Sequence, residues 1–373
     1  MENSRRDFIK KSTSLAALTV GGLTSVQAKA TDERGRKDPA RPKDAGMQLC
    51  EAYFYGMEEQ KIALSRQIDV LGAVGGINPA MVGLKDVNPW ESRAVVAVKE
   101  AWQKVGLNLR VIEGPPGLGD KTKLGLPGRD EEIAHFITLM KNLTQAGIDT
   151  ICYNWMPVIG WYRTQNDRPG RGGALVTAFD YEGVKNLPPT QYGEVSKETL
   201  WKSLDYFLKA VIPEAEKVGM KLAMHPDDPQ VDSIRGIARI MNTVDSFKRL
   251  LALYPSPSNG ITMCQGNFAL MGEDIPTLIE YFGKRKKIHF VHFRNVRGDK
   301  FHFEEPFHDE GTIDMYQAMK AYYTIGFKGP IRPDHVPTMA GDSNQHPGYS
   351  TIGSLYALGY MRGLMEAVSQ RRT

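Results

Sequence analysis

His225, Cys264, His292 and Asp334 are separated by 39, 28 and 42 residues. Each ends a short apolar run: MKLAMH (220–225), GITMC (260–264), KIHFVH (287–292) and GPIRPD (329–334). Two imidazoles, a thiolate and a carboxylate complete most of the shell of a divalent transition metal. Singly, each has a plainer reading. A strand-end His is more often structural, a lone Cys is a small buried apolar residue, and an Asp caps the segment after it. Chance placement of all four at consecutive run ends is hard to arrange. His289 lies three positions before His292; in a strand the two face opposite ways, and His292 is the nearer to the strand end.

Groups suited to the rest of a reaction surround these four. Pro226-Asp227-Asp228-Pro229 follows His225, and Asp227 or Asp228 can orient an imidazole or bind a sugar hydroxyl. The alternative is a Pro-bounded acidic turn. Gln265 and Asn267 follow Cys264 and can hydrogen-bond hydroxyls. Arg294 and Asn295 follow His292; an Arg can grip a substrate carboxylate through two parallel bonds or sit in a structural ion pair. His335 follows Asp334 and can donate or accept a proton. In an extended chain these two side chains diverge, so Asp334 can reach a metal while His335 faces substrate. His302 and His308 lie in a loop-like FHFEEPFHDEG.

Ligands so scattered converge only if parallel strands bring their C-terminal ends to one face. Eight β-like runs recur, at 47–54, 68–76, 107–114, 148–156, 220–225, 260–266, 287–295 and 329–334. Amphipathic stretches such as NPWESRAVVAVKEAWQKVG and TLWKSLDYFLKAVIPEAEKVG show apolar spacing near 3.6 and end at Gly before the next run. The expectation is an α/β fold, a single-domain (β/α)8 TIM barrel over residues 46–373 with its site at the C-terminal face. A doubly wound sheet is the rival, but VGGIN at 74–78 lacks its phosphate-loop spacing. Residues 163–196, rich in Gly and Pro, form an insertion after the fourth run, read as either a floppy excursion or a substrate-covering loop.

The 47 Lys+Arg against 43 Asp+Glu leave a net charge of +4 with no long basic block, which argues against nucleic acid as a partner. Three cysteines cannot frame a disulfide-stapled fold. Part of the positive balance belongs to residues 1–28, where Arg5-Arg6 and Phe8 precede a weak apolar stretch. This pattern reads as a twin-arginine export signal, cut after Ala28 or Ala30, with residues 29–45 a flexible lead-in. The expected partner is the twin-arginine export machinery and the expected location periplasmic, with no stable membrane insertion after cleavage. Barrels of this kind often associate, so a homo-oligomer is compatible with the sequence.

The segments RVIEG (110–114), CYNWMPVIGWYRT (152–164), MHPDDP (224–229), TMCQGN (262–267), HFVHFRN (289–295), FEEPFH with GTIDMY (303–316), RPDH (332–335) and PGYSTIG (347–353) run in one order to the C-terminus. On these the chain resembles the mannonate dehydratase family, within the wider xylose-isomerase-like barrels. The resemblance implies His225, Cys264, His292 and Asp334 as metal ligands, with Mn2+ or else Fe2+ or another divalent metal. It places Arg294, His335 and Tyr349 in substrate binding or proton transfer, and favours His308 over His302. The implied reaction is loss of water from D-mannonate to give 2-keto-3-deoxy-D-gluconate. Asp334, His335 and Tyr349 are then the catalytic candidates, and Arg294, Asn295, His308 and Asp228 the substrate-binding ones. As a base, Tyr349 would need a nearby cation such as Arg294 to lower its pKa. The alternatives are a metal-dependent isomerase or epimerase of sugars or sugar acids, and an exported sugar-binding barrel without turnover. Departures from the family are LGAVGGINP where a His-His pair usually ends the second strand, Val336 in place of a Gly, and the compact Gly-rich insertion.

Overall fold

The computed structural model describes residues 45–370. The residues expected to form the export signal lie outside the described residues, as do all but the last of the expected lead-in. Eight parallel strands close a barrel in chain order. They are β1 (Gln48–Ala52), β2 (Gly72–Gly75), β3 (Asn108–Glu113), β4 (Thr150–Tyr153), β5 (Lys221–Met224), β6 (Asn259–Cys264), β7 (Ile288–Phe293) and β8 (Pro330–Pro333). The circle shuts where β8 pairs with β1 at Gln48↔Pro330 and Leu49↔Ile331. The expected (β/α)8 architecture is the one observed.

Period-two alternation sorts each strand into an inner and an outer face. Inward residues Cys50, Val74, Val111, Cys152, Ala223 and Phe290 form an apolar plug inside the barrel. Their outward neighbours Leu49, Ala73, Ile112, Ile151, Leu222 and Val291 join the larger core beneath the helices. Helix Ser92–Lys104 contributes Ala94, Val95, Val98 and Trp102 at helical spacing. Helix Lys197–Val218 starts at Ser196, whose side chain accepts from the Thr199 N–H, and stops at Gly219 with φ 74°. That left-handed conformation is one a glycine adopts without a Cβ clash.

The plug fixes where chemistry can sit. Two residues beyond it along β3, β4, β5 and β7, the inward positions belong to Glu113, Asn154, His225 and His292. Cys264 stands in the same relation to buried Thr262 on β6, and β8 contributes Arg332 and then Asp334. On β1 and β2 the equivalent positions are Ala52 and Gly76, which carry no functional group.

The insertion after β4 is neither floppy nor a free-standing lid. Its strands Gln165–Pro169 and Leu175–Asp180 join His302–Glu304 and Arg297–Gly298, from the segment after β7, in one four-stranded antiparallel sheet. Leu175 is tied to Thr338 beyond β8 by two backbone hydrogen bonds of 2.9 and 2.8 Å. Three barrel loops are therefore fastened together over one side of the mouth.

Candidate active site

A cavity of about 130 Å3 opens at the C-terminal mouth, between Glu113, Asn154, His225, His292, His335 and Tyr349. Within it the metal-ligand types converge. His225 Nε2 lies 3.2 Å from His292 Nδ1, His292 Nδ1 lies 3.5 Å from Asp334 Oδ2, and Asp334 Oδ2 lies 3.6 Å from Cys264 Sγ. Ligand atoms of His225, Cys264 and His292 all fall within 4.8 Å of one another. Donors bound at about 2.0–2.3 Å in tetrahedral or octahedral array stand roughly 3.0–3.7 Å apart. The spacing and the N, S, O donor set therefore fit one divalent cation. The other nitrogen of His292, Nε2, faces Glu113 Oε2 at 3.4 Å; a carboxylate in that place fixes the ring of a ligating imidazole. Glu113 is itself held by Arg332 through contacts of 3.0–3.2 Å. Burial raises its pKa, but Arg332 and His292 outweigh burial and hold the carboxyl at about 2. Burial beside His292 pushes the His225 imidazole down to about 4, which keeps it neutral and able to ligate. His289 points away from the cavity, against the Leu222 carbonyl at 3.3 Å.

Beside the donors Tyr349 and His335 form a hydrogen-bonded pair. Tyr349 Oη is 3.1 Å from His335 Nε2. His335 Nδ1 meets Glu305 Oε1 at 2.5 Å. Glu305, an acceptor only, calls for a proton on Nδ1 and leaves Nε2 as the lone-pair nitrogen facing Tyr349, whereas the Arg294 guanidinium, a donor only, touches the same Nδ1 and calls for the reverse. His335 adopts φ 39°, a left-handed conformation uncommon for a residue with a side chain. Burial, reinforced by Asp334, pushes the Tyr349 phenol well above its ordinary value. Arg294, the cation expected to lower it, is not among the charged groups that act on it most strongly. The guanidinium that opposes this rise is that of Arg332.

Arg294 lies behind the cavity wall. It is fully buried and contacts Glu305 at 2.6 Å, Asp228 at 3.2 Å and Asn267 at 2.9 Å, and it also touches His335. Arg163, brought in by the insertion, grips Asp228 at 2.6 and 3.1 Å and Glu305 at 2.8 and 2.8 Å. Two guanidiniums and two carboxylates thus form a buried, charge-balanced quartet against His335. Asp228 reaches the cavity wall from within it.

The structure does not bring every expected contact residue to the cavity. The amide of Asn295 is spent on the carbonyls of His308 and Ile313 and the N–H groups of Val296 and Ile313. His308 is buried but does not line the cavity. Gln265 donates to the Arg294 carbonyl, Asn267 braces Cys264 and Arg294, and Asp227 accepts from the Met241 N–H. Val336 is buried and pairs with Gly348, so its side chain does not narrow the site. Residues that sequence reasoning missed are Glu113, Asn154, Trp161 and Arg332 in the wall, with Arg163 and Glu305 behind it. The strand-end argument that found His225 also applies to Glu113 and Asn154. Nothing in the sequence pairs Arg163 with Glu305, 142 residues away.

Fold and site define a (β/α)8 barrel with a carboxylate- and imidazole-rich cavity at its C-terminal mouth, the class to which many metal-assisted sugar enzymes belong. The family model for D-mannonate dehydratase (UxuA) matches residues 47–192 and 189–373. Mannonate dehydratase 2 of Halalkalibacterium halodurans is 36% identical over 352 residues, covering 87% of this chain and 100% of that protein. The mannonate dehydratase of Streptococcus uberis is 37% identical, covering 84% and 97%. Among solved structures, the mannonate dehydratase of Streptococcus suis superposes with a TM-score of 0.78 at 32% identity, covering 87% and 94%. The D-psicose 3-epimerase of Clostridium cellulolyticum, at 13% identity and a TM-score of 0.52, covers 87% and 97% and shares the fold alone. The chain belongs to the D-mannonate dehydratase family and is a hydro-lyase.

Proposed function

We propose that the protein removes water from D-mannonate to give 2-keto-3-deoxy-D-gluconate, with a divalent cation, Mn2+ or Fe2+, held by His225, Cys264, His292 and Asp334. The observation that carries this reading is the convergence of those four donors beside the His335–Tyr349 pair. The proton α to a carboxylate is poorly acidic, and a bound cation supplies Lewis-acid stabilisation of the charge that develops when it leaves. His335 Nε2, turned outward by Glu305, accepts the C2 proton. Tyr349, kept protonated by burial, gives its proton to the departing C3 hydroxyl. Across 3.1 Å, His335 then returns a proton to Tyr349, and the pair is restored with one water released. The 2,3-enol left behind ketonises, its C2 hydroxyl losing a proton as C3 gains one, to give the 2-keto-3-deoxy acid. Glu305 holds the tautomer throughout, as a carboxylate behind a catalytic imidazole does. Family membership favours dehydration over the isomerase and epimerase readings, since the epimerase neighbours share only the fold.

The test is a panel of hexonates and uronates with added Mn2+, followed by keto-acid detection and NMR of the product. Formation of 2-keto-3-deoxy-D-gluconate from D-mannonate is expected. Epimerised or isomerised product without water loss would replace this reading with the isomerase one. We also propose that Arg5-Arg6 direct export through the twin-arginine pathway to the periplasm.

A further inference from the structure

Among the inward strand-end positions, the metal set and the Arg332-bound Glu113 leave one polar side chain without a role, Asn154 on β4. It lines the cavity between the strands that carry Glu113 and His225. Its Oδ1 accepts two hydrogen bonds, from Lys123 Nζ at 3.0 Å and from the Met156 N–H at 3.1 Å. Two donors on one atom fix which end of the amide is oxygen, because a flipped amide would set N–H against N–H and an ammonium against an NH2 group. The Nδ2 end is thereby left to face the cavity, and among the described residues none accepts a hydrogen bond from it. Lys123 is only 9% exposed and does not itself line the cavity. Its ammonium is spent on Asn154 and, at 3.5 Å, the Met156 carbonyl.

Resting on the sugar-acid reading above, we infer that Asn154 is a substrate-binding residue that donates from Nδ2 to an oxygen of the sugar acid. Lys123 is its positioning residue, holding the amide in the donating orientation from behind the wall. The positive charge at Lys123 polarises the amide toward stronger donation, which suits the oxygen-rich, anionic ligand.

Calorimetric binding of hexonates to Mn2+-loaded wild type, Asn154→Ala and Asn154→Asp tests this apart from turnover. The donor to an anionic ligand should be worth roughly 10- to 100-fold in Kd, lost in Asn154→Ala while metal content stays at the wild-type level. Asn154→Asp keeps Lys123 partnered and so separates folding from binding. It binds more weakly than the Ala variant if the acceptor is the substrate carboxylate, and regains affinity if the acceptor is a hydroxyl. Lys123→Gln keeps an N–H donor behind Asn154 and should retain more affinity than Lys123→Met, with KM rising more than kcat falls in the latter. A wild-type Kd in Asn154→Ala overturns the inference. Hexonate binding by wild type without any water loss overturns the dehydratase reading and leaves Asn154 standing, whereas no binding of any hexonate overturns both.

Discussion

Breaking the buried quartet one partner at a time should expose how the insertion is anchored. Arg163 makes four charge-assisted contacts, two to Glu305 and two to Asp228, all between 2.6 and 3.1 Å. The side chains of Arg163 and Glu305 are both 0% exposed. Glu305→Gln leaves one uncompensated positive charge in this dry pocket, and Arg163→Met one uncompensated negative charge. Each should cost about 3–5 kcal/mol, the usual penalty for stranding one member of a buried pair. If the two losses simply added, the double variant would forfeit about 6–10 kcal/mol, comparable to the whole stability of an ordinary domain at roughly 5–15 kcal/mol. The double variant, however, stays neutral, with Arg294 and Asp228 still paired at 3.2 Å. Its cost should therefore fall short of the sum by about 1–3 kcal/mol. Urea unfolding of all four proteins at one fixed metal concentration measures the cycle. Single variants within about 1 kcal/mol of wild type, or additive losses, would refute a charge-balanced quartet.

Purified protein should carry about one divalent metal per chain by elemental analysis, and Cys264→Ala or His225→Ala should lose most of it; full occupancy in both would dissolve the proposed ligand set. Tyr349→Phe should lower kcat by roughly 10²–10⁴ with metal content unchanged, whereas near wild-type turnover removes the phenol from the mechanism. Because Glu113 is held at about 2 in the folded protein, its contribution to stability is complete above the ordinary carboxyl value and fades as pH falls toward 2. Acid titration of unfolding should therefore be shallower for Glu113→Gln across that window, and an unchanged profile contradicts the pairing with Arg332. Lysines in place of Arg5 and Arg6 should leave precursor in the cytoplasm; undiminished export would count against the signal.

The barrel was legible because its information is local. Each strand appears as a short apolar run, and several helices as 3.6-residue stripes running up to a glycine, as in Ser92–Lys104 and Lys197–Val218. The ligand types were legible because parallel strands convert the ends of separate runs into neighbours. The four-stranded sheet was not, since its pairing of Phe179 with Phe303 joins segments more than a hundred residues apart through backbone groups that leave no compositional mark. For Arg294 the sequence left substrate grip and structural ion pair both open, for a related reason. An arginine able to grip a substrate carboxylate is equally able to grip Glu305 and Asp228, and only the fold decides which carboxylate is present. The burial that raises the Tyr349 phenol was likewise illegible, because sequence shows nearby charges but not what covers them.

The antiparallel sheet also gives traffic through the mouth a direction. Because it fastens the loops after β4, β7 and β8 to one another, opening that side would mean breaking strand pairs on several loops at once. On the opposite flank β1 and β2 present only Ala52 and Gly76, and the contact there is between side chains, Tyr55 stacked on His346 at 3.5 Å between ring centres. Strand pairing thus makes one flank of the mouth costlier to open than the other.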